Sequence, residues 1–198
     1  MRLQRIAIKN FRNLAEIDIP ISPGTVVVGE NRSGKSNLVH ALRLVLDPSL
    51  PNSDRQLRPE DFWEGLSDGT PGWDPMKAGE IVEITVEFGE IGNDPTALAT
   101  LGQALVEGDP MRARMTYRYA PRDVPEPDPD HPVYEWKLTG GLDEENEVRG
   151  DLRRYLPSLS LGAARCRGRH RVLATLSPAA TAGGSSRADW LGRASGCR

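Results

Sequence analysis

Cysteine, lysine and long apolar runs are all scarce in this chain of 198 residues. The two cysteines, Cys166 and Cys197, both lie near the C-terminus, and they are too few for a disulfide framework or a cysteine metal cluster. No apolar run reaches the length of about 18 residues that a transmembrane helix requires. The N-terminus also lacks the apolar core of a signal peptide. We therefore expect a cytoplasmic protein that does not enter the membrane.

Charge is distributed unevenly along the chain, and lysine contributes little of it. Of the 25 basic residues, only four are lysines, and the net charge is −3. Residues 160–198 contain seven arginines and one acid, whereas residues 1–159 contain 18 basic and 27 acidic residues. Because the larger part is acidic, bulk charge does not favour nucleic-acid binding. A contact with DNA would need a local basic patch.

The most informative stretch is the glycine loop at residues 29–36, with the sequence Gly-Glu-Asn-Arg-Ser-Gly-Lys-Ser. A β-branched run precedes it, and an apolar-periodic segment follows it. The spacing Gly-x4-Gly-Lys-Ser between a strand and a helix is typical of a phosphate-binding loop. The two glycines allow close approach of the backbone, so that N–H groups of residues 31–36 can cradle phosphate oxygens. The alternative is a glycine loop that binds no ligand.

The residue types in the glycine loop predict a site for ATP and Mg²⁺. Lys35 supplies a positive charge for the β- and γ-phosphates, and the Ser36 hydroxyl is placed to ligate Mg²⁺. The positive end of the helix dipole adds to this attraction. The side chain of Arg32 is expected either to contact the γ-phosphate or to extend into solvent. The predicted ATP contacts in the loop and its flank are Gly29, Asn31, Arg32, Ser33, Gly34, Lys35, Ser36 and Asn37.

Alternation of apolar and polar residues predicts strands on both sides of the glycine loop. They cover residues 3–9, 14–19, 80–88, 112–119 and 133–138, with a buried strand at 25–28 that leads into the loop. Helical spacing predicts one helix from the loop to about residue 46, a second over 94–106, and a helix start at 151–156. Residues 47–79 have no sustained period, apart from one helical turn near Pro59, and so long a segment is usually functional or mobile. The predicted fold class is α/β, with a mixed, largely antiparallel sheet around the helix of a P-loop lobe.

Composition changes at about residue 160. Alanine, arginine, glycine and serine make up most of residues 160–198, and no apolar period persists there. We interpret residues 1–159 as an ATP-binding lobe and residues 160–198 as a low-complexity tail. One hypothesis is that the tail results from a frameshift in a GC-rich gene. The alternative is a disordered basic tail that binds nucleic acid.

The N-terminal motifs resemble a known group of ATPases. A first strand ends in the sequence Asn-Phe-Arg-Asn of residues 10–13, a second strand follows, and the glycine loop leads into Asn37 and Leu38. This order resembles the N-lobe of ABC-type ATPases of the RecF/SMC group. Residues 42–48 (Leu-Arg-Leu-Val-Leu-Asp-Pro) and the later Leu57 with Asp61-Phe62 most resemble the OLD (overcoming lysogenization defect) family of ATP-dependent endonucleases. Many SMC-like members carry glycine at the position of Arg32.

The resemblance implies a two-lobed ATPase head that dimerises around ATP. In full-length members a Toprim nuclease domain follows, and the protein acts on DNA in repair or phage defence. The resemblance places Arg12 near the nucleotide, and it places Asp61 at a position that contacts a metal-bound water. Arg12 thus joins the predicted ATP contacts, and Asp61 joins Ser36 as a predicted Mg²⁺ site residue. The alternative for Arg12 is a surface arginine that binds no ligand. The alternative for Asp61 is an acid that only stabilises the start of a helix.

Several motifs of the resembled family are missing from these 198 residues. There is no Leu-Ser-Gly-Gly-like signature, no apolar strand that ends in Asp-Glu, and no Toprim acidic cluster. ATP hydrolysis depends on groups that orient water and complete the site in trans. We therefore predict an incomplete, truncated site without a catalytic residue, little or no hydrolysis by this chain alone, and a homodimer when the protein is complete.

Other functions stay open at this point. A RecF/SMC-like repair ATPase fragment fits the same motifs. A small P-loop kinase fits the chain length, although two strands precede the glycine loop here. A regulatory module that only binds nucleotide, or a fragment without function, is a third class. An ABC transporter subunit is disfavoured, because the Asn-Phe-Arg opening resembles the DNA-repair branch.

Overall fold

A computed structural model gives the fold. It describes residues 2–22, 25–30, 33–47, 49–91, 98, 101–106, 108, 110–125, 128–142, 160–166 and 169–175. The helix start predicted at residues 151–156 and the loop residues Asn31 and Arg32 lie outside this part of the chain. Among the described residues, no helix is long and apolar enough to cross a bilayer.

Besides Leu98 and Leu101, which are also helical, the described residues include nine strands and one α-helix with defined bounds. In chain order they are β1 (Arg2–Phe11), β2 (Leu14–Pro20), β3 (Val27–Val28), α1 (Lys35–Leu46), β4 (Val82–Gly89), β5 (Leu105–Val106), β6 (Arg112–Pro121), β7 (Tyr134–Gly140), β8 (Ser160–Cys166) and β9 (Arg169–Thr175). A six-stranded antiparallel sheet has the order β2-β1-β4-β6-β5, and β7 also pairs with β6. A second sheet has the order β3-β9-β8. The largely antiparallel sheet predicted from the sequence is confirmed.

One face of the large sheet forms the core together with α1. Ile8 of β1 lies opposite Ile84 of β4, which in turn lies opposite Tyr117 of β6, and all three are buried. The helix packs against this layer with the apolar stripe that the sequence predicts, and its buried members include Leu38, Ala41, Leu42 and Val45. Burial of the leucine and valine side chains, at about 1.5–3 kcal/mol each, fixes the helix that begins at Lys35.

Residues 49–79, the covering segment, lie over the core face of the sheet. They contain three 3₁₀ turns, Asn52–Arg55, Pro59–Asp61 and Glu64–Leu66. Leu57 and Phe62 are buried, and the Tyr119 hydroxyl donates to the Leu57 carbonyl at 3.0 Å. The side-chain amide of Gln56 donates to the Tyr134 carbonyl at 2.9 Å. The segment therefore has defined tertiary contacts although its sequence has no period.

The opposite face of the large sheet is polar. Glu87 of β4 is only 4% exposed and accepts from Arg5 Nη1 at 2.9 Å and Arg114 Nη2 at 2.6 Å. Nearby, short side chains at Thr85 and Thr116 form the floor of a cavity of about 290 Å³ between rows of longer charged side chains. The polar face thus carries its own ion-pair network, separate from the apolar core.

Three expectations about strands and helices differ from the structure. The strand at β3 was expected to be buried, but Val26 and Val28 are 43% and 60% exposed, because no described layer covers them. The helix expected over 94–106 agrees with the structure at Leu98 and Leu101, which are helical, but its end is replaced by a 3₁₀ turn and by β5, since Leu105 and Val106 pair with β6. Residues 92–97 and 99–100 lie outside the described part. Strands β8 and β9 occupy part of the region beyond residue 160, where the sequence shows no apolar period. The division of the chain at residue 159 stays a prediction.

Candidate functional site

The glycine loop joins β3 to the N-terminus of α1. Gly34 is the N-cap residue of α1 and has a left-handed backbone, with φ of 90°. A side chain is disfavoured in this conformation, which explains the glycine at this position. The N-terminus of α1 has no side-chain cap. Its first N–H groups are therefore available to a ligand.

The amine of Lys35 lies inside the glycine loop. Its Nζ donates to the Gly29 carbonyl at 2.8 Å, to the Glu30 carbonyl, and to the Ser33 hydroxyl at 3.1 Å. The Lys35 side chain is buried, with 8% exposure. Three oxygens of the loop thus surround the ammonium group and satisfy its hydrogen-bond donors.

Arg12 reaches the same end of α1 from the turn after β1. Its Nε and Nη2 donate to Asp61 Oδ1 at 2.9 and 2.8 Å, and its Nη1 donates to Asn37 Oδ1 at 3.1 Å. The structure therefore brings together three predicted site residues, Arg12, Asn37 and Asp61. Arg12 and Asp61 are 49 positions apart in the sequence. The ion pair is partly buried, which strengthens it relative to an exposed pair.

Backbone geometry at the end of β1 directs Arg12 towards α1. Asn10 and Arg12 have positive φ angles of 60° and 52°, which cost energy in residues other than glycine. Between them, Phe11 forms an antiparallel bridge with Phe62 of the covering segment. The Arg12 N–H donates to the Asp61 carbonyl at 2.8 Å. The covering segment therefore positions Asp61 and sustains the turn that carries Arg12.

Sequence reasoning did not single out Asn13 as a site residue. Its Oδ1 accepts from Asn37 Nδ2 at 2.8 Å. A Cβ placed on Gly34 would lie 2.7 Å from Asn13 Nδ2, so the amide of Asn13 rests directly on the glycine. The only signal in the sequence is its position in the Asn-Phe-Arg-Asn turn.

Comparison with known proteins identifies the family. The sequence model of the AAA ATPase domain matches residues 1–126. The chain belongs to the AAA ATPase domain family. Membership of this family agrees with the N-terminal motifs that resemble the OLD and RecF groups.

Individual relatives of this AAA ATPase domain are nucleases and repair proteins. The OLD nuclease of Thermus scotoductus is 37% identical over 86 residues, which is 43% of this chain and 14% of that protein. RecF, the DNA replication and repair protein of Brucella abortus, is 51% identical over 41 residues, or 20% of this chain and 11% of RecF. Endonuclease GajA of Bacillus cereus is 40% identical over 50 residues, or 25% of this chain and 9% of that protein. The matches thus span less than a fifth of each of these relatives.

Asp61, one of the two predicted Mg²⁺ site residues, already has hydrogen-bond donors on its carboxylate. Its carboxylate accepts the two bonds from Arg12 and a third from the Arg58 N–H at 3.0 Å. A metal ion at Asp61 would compete with the Arg12 guanidinium for the same oxygens. Ser36, by contrast, is exposed in the first turn of α1, so its hydroxyl is accessible to a cation. Both metal assignments stay predictions.

His40 lies on α1, one turn beyond Ser36, in the AAA ATPase domain. Its ring is half-buried and meets the Phe11 ring edge-on at 5.7 Å between centroids. Burial, and then the charge of Arg12, lower its pKa below the ordinary value and so favour the neutral imidazole. This is the environment of a packed histidine.

Proposed function

We propose that this AAA ATPase domain binds ATP with Mg²⁺ at the glycine loop, as the nucleotide-binding lobe of a DNA-processing ATPase of the OLD nuclease type. The observation that carries the proposal is the enclosure of the Lys35 amine by loop oxygens at the start of α1. The ammonium group needs oxygen partners there, and phosphate oxygens satisfy the same requirement. The similarity to OLD nuclease and GajA supports the OLD assignment.

Each proposed contact has a distinct role. Lys35 binds the β- and γ-phosphates, and the N–H groups at the start of α1 bind phosphate oxygens. Bound Mg²⁺ neutralises phosphate charge, with the Ser36 hydroxyl as its ligand. Arg12 adds a second cation that is already oriented by Asp61. The remaining proposed contacts come from the loop and its flank: Gly29, Asn31, Arg32, Ser33, Gly34 and Asn37.

The proposal does not assign ATP hydrolysis to this chain alone. Phosphoryl transfer requires a group that orients the attacking water, and such groups are often supplied in trans. None of the strands among the described residues ends in Asp-Glu. DNA binding and homodimerisation belong to the proposal for the complete protein. A RecF-like repair ATPase is the second candidate, because the match to RecF reaches 51% identity.

Thermal unfolding with and without Mg²⁺-ATP tests the binding proposal. A ligand at 100 times its dissociation constant stabilises the native state by about 2.7 kcal/mol. We expect a rise in the melting temperature for the wild-type chain and little or none for Lys35→Ala. Lys77→Ala is the matched control, since Lys77 is half-exposed in the covering segment and its ion pair with Asp130 is long, at 3.9 Å. If folded wild type and Lys35→Ala respond equally to Mg²⁺-ATP, the proposal is wrong.

A further inference from the structure

A chain of hydrogen bonds runs from the covering segment to the glycine loop. It starts at the Asp61 carboxylate, continues through the Arg12 guanidinium and the Asn37 amide, and ends at the Asn13 amide. Each of its bonds is between 2.8 and 3.1 Å long. The chain thus links one side chain of α1, that of Asn37, and the covering segment to the turn after β1.

The direction of every bond in this chain is fixed by chemistry. A guanidinium group only donates hydrogen bonds, so the Asn37 atom that faces Arg12 must be the acceptor Oδ1. The other end of the Asn37 amide is then the donor Nδ2, and the Asn13 atom that it contacts must be the acceptor Oδ1. The amide of Asn13 consequently presents its NH₂ group away from Asn37.

This NH₂ group is a hydrogen-bond donor at the edge of the glycine loop. Asn13 is exposed, and its Nδ2 has no acceptor among the described residues. The whole amide lies beside Gly34, since its Nδ2 and Oδ1 are 2.7 and 2.8 Å from the position that a Cβ on Gly34 would take. Gly34 directly precedes Lys35, so the donor lies beside the backbone that leads into α1.

We propose that Asn13 is a further nucleotide-binding residue and that its Nδ2 donates to a phosphate oxygen of the bound nucleotide. Asn37 is a positioning residue, because it holds the Asn13 amide in the orientation that exposes the donor. This inference rests on the proposed function and adds a contact from outside the glycine loop. A phosphate oxygen is the acceptor of choice, since it is anionic and since the neighbouring groups at this end of α1 are donors.

The test compares two substitutions that separate contact from structure. Asn13→Ala removes both the donor and the acceptor for Asn37. Asn13→Asp keeps an acceptor oxygen for Asn37 but replaces the donor by a second acceptor. Asn52→Asp is the charge control, because Asn52 is exposed in the 3₁₀ turn Asn52–Arg55, beyond the C-terminal end of α1. Calorimetric titration of the full chain measures the dissociation constants of Mg²⁺-ATP and of inorganic tripolyphosphate.

Loss of one charge-assisted hydrogen bond should weaken binding about tenfold. We expect this loss for Asn13→Ala, at least the same loss for Asn13→Asp, and no change for Asn52→Asp, with both probes. The loss for Asn13→Asp should persist at about 1 M ionic strength, where the screening length is about 3 Å and repulsion without contact disappears.

The alternative outcomes are distinguishable. Wild-type affinity in Asn13→Asp would show that Asn13 has only a structural role, and would overturn the inference while ATP binding stands. A loss for Mg²⁺-ATP without a loss for tripolyphosphate would place the contact on the ribose or base, and would also overturn it. If the wild-type chain binds neither probe, the proposed function itself fails and the inference falls with it.

Discussion

At the scale of single residues, the charge of Glu87 on the polar face depends on the arginines around it. Burial alone raises the pKa of Glu87, but the hydrogen bond and charge of Arg114, and then those of Arg5, lower it below the ordinary value. Since the pKa is lower in the folded state, this carboxylate stabilises the fold above its unfolded-state pKa. The stabilisation is lost as the pH falls through the folded-state pKa.

We expect Glu87→Gln to lower the free energy of unfolding at pH 7 by about 1.5–3 kcal/mol, the value of hydrogen bonds to a charged group. The difference from wild type should shrink in acid. Urea unfolding at pH 7 and at pH 3 measures both values. Glu83→Gln is the control, because Glu83 lies on the same face of β4 but has no ion pair among the described residues. Equal effects of the two substitutions would contradict the assignment to the arginine contacts.

At the scale of elements, Arg55 connects the covering segment to the end of α1. Its side chain is fully buried and donates to the carbonyls of Leu44 and Asp47 in the last turn. The guanidinium also lies 5.6 Å from the centre of the Trp136 ring. Cations at a helix C-terminus satisfy carbonyls that have no partner within the helix.

Arg55→Met should therefore loosen the last turn of α1 and the covering segment together. The backbone amides of both are expected to exchange hydrogen faster, and the free energy of unfolding to fall by about 1.5–3 kcal/mol. Hydrogen exchange resolved by mass spectrometry provides the measurement. Arg58→Met, an exposed change in the same segment, should leave exchange in α1 unaltered. Unchanged exchange in Arg55→Met would argue against this connection.

The elements also show what the sequence could predict. The helix from Lys35 and the strands β1, β2, β4 and β6 followed from local periodicity, because each buries one face. The positions of Leu105 and Val106 fit the apolar stripe of a helix as well as they fit a strand. Their pairing with β6, a tertiary contact, makes them a strand. The bridge between Phe11 and Phe62 and the contact between Asn13 and Asn37 depend on tertiary structure. The glycine loop was therefore predictable as a motif, whereas the turn that supports it was not.

At the scale of the whole molecule, the described residues leave an apolar strand uncovered. Val26 and Val28 are exposed and β-branched, and exposed strands of this kind favour association between chains. We expect the wild-type chain to associate as its concentration rises, and the double substitution Val26→Thr with Val28→Thr to reduce this association without loss of strand propensity. Light scattering over a concentration series measures it.

The matched control for association is Val133→Thr. Val133 is 53% exposed but lies just before β7, outside the β3 region. Its substitution should leave the concentration dependence unchanged. Association that is equal in the wild type, the double variant and the control would show that β3 is not the contact.

Under the proposed function, the bonds of Lys35 to its own loop have a consequence for the rate of nucleotide binding. A phosphate reaches the amine only after the bonds to the Gly29 carbonyl and the Ser33 hydroxyl have opened. Association then includes a unimolecular opening step, and loop motions of this kind take nanoseconds to microseconds or longer. At high nucleotide concentration, the observed rate is set by the opening of the loop and no longer by diffusion. The proposed function therefore predicts that opening of the loop, and not affinity for the ligand, limits how quickly the site fills.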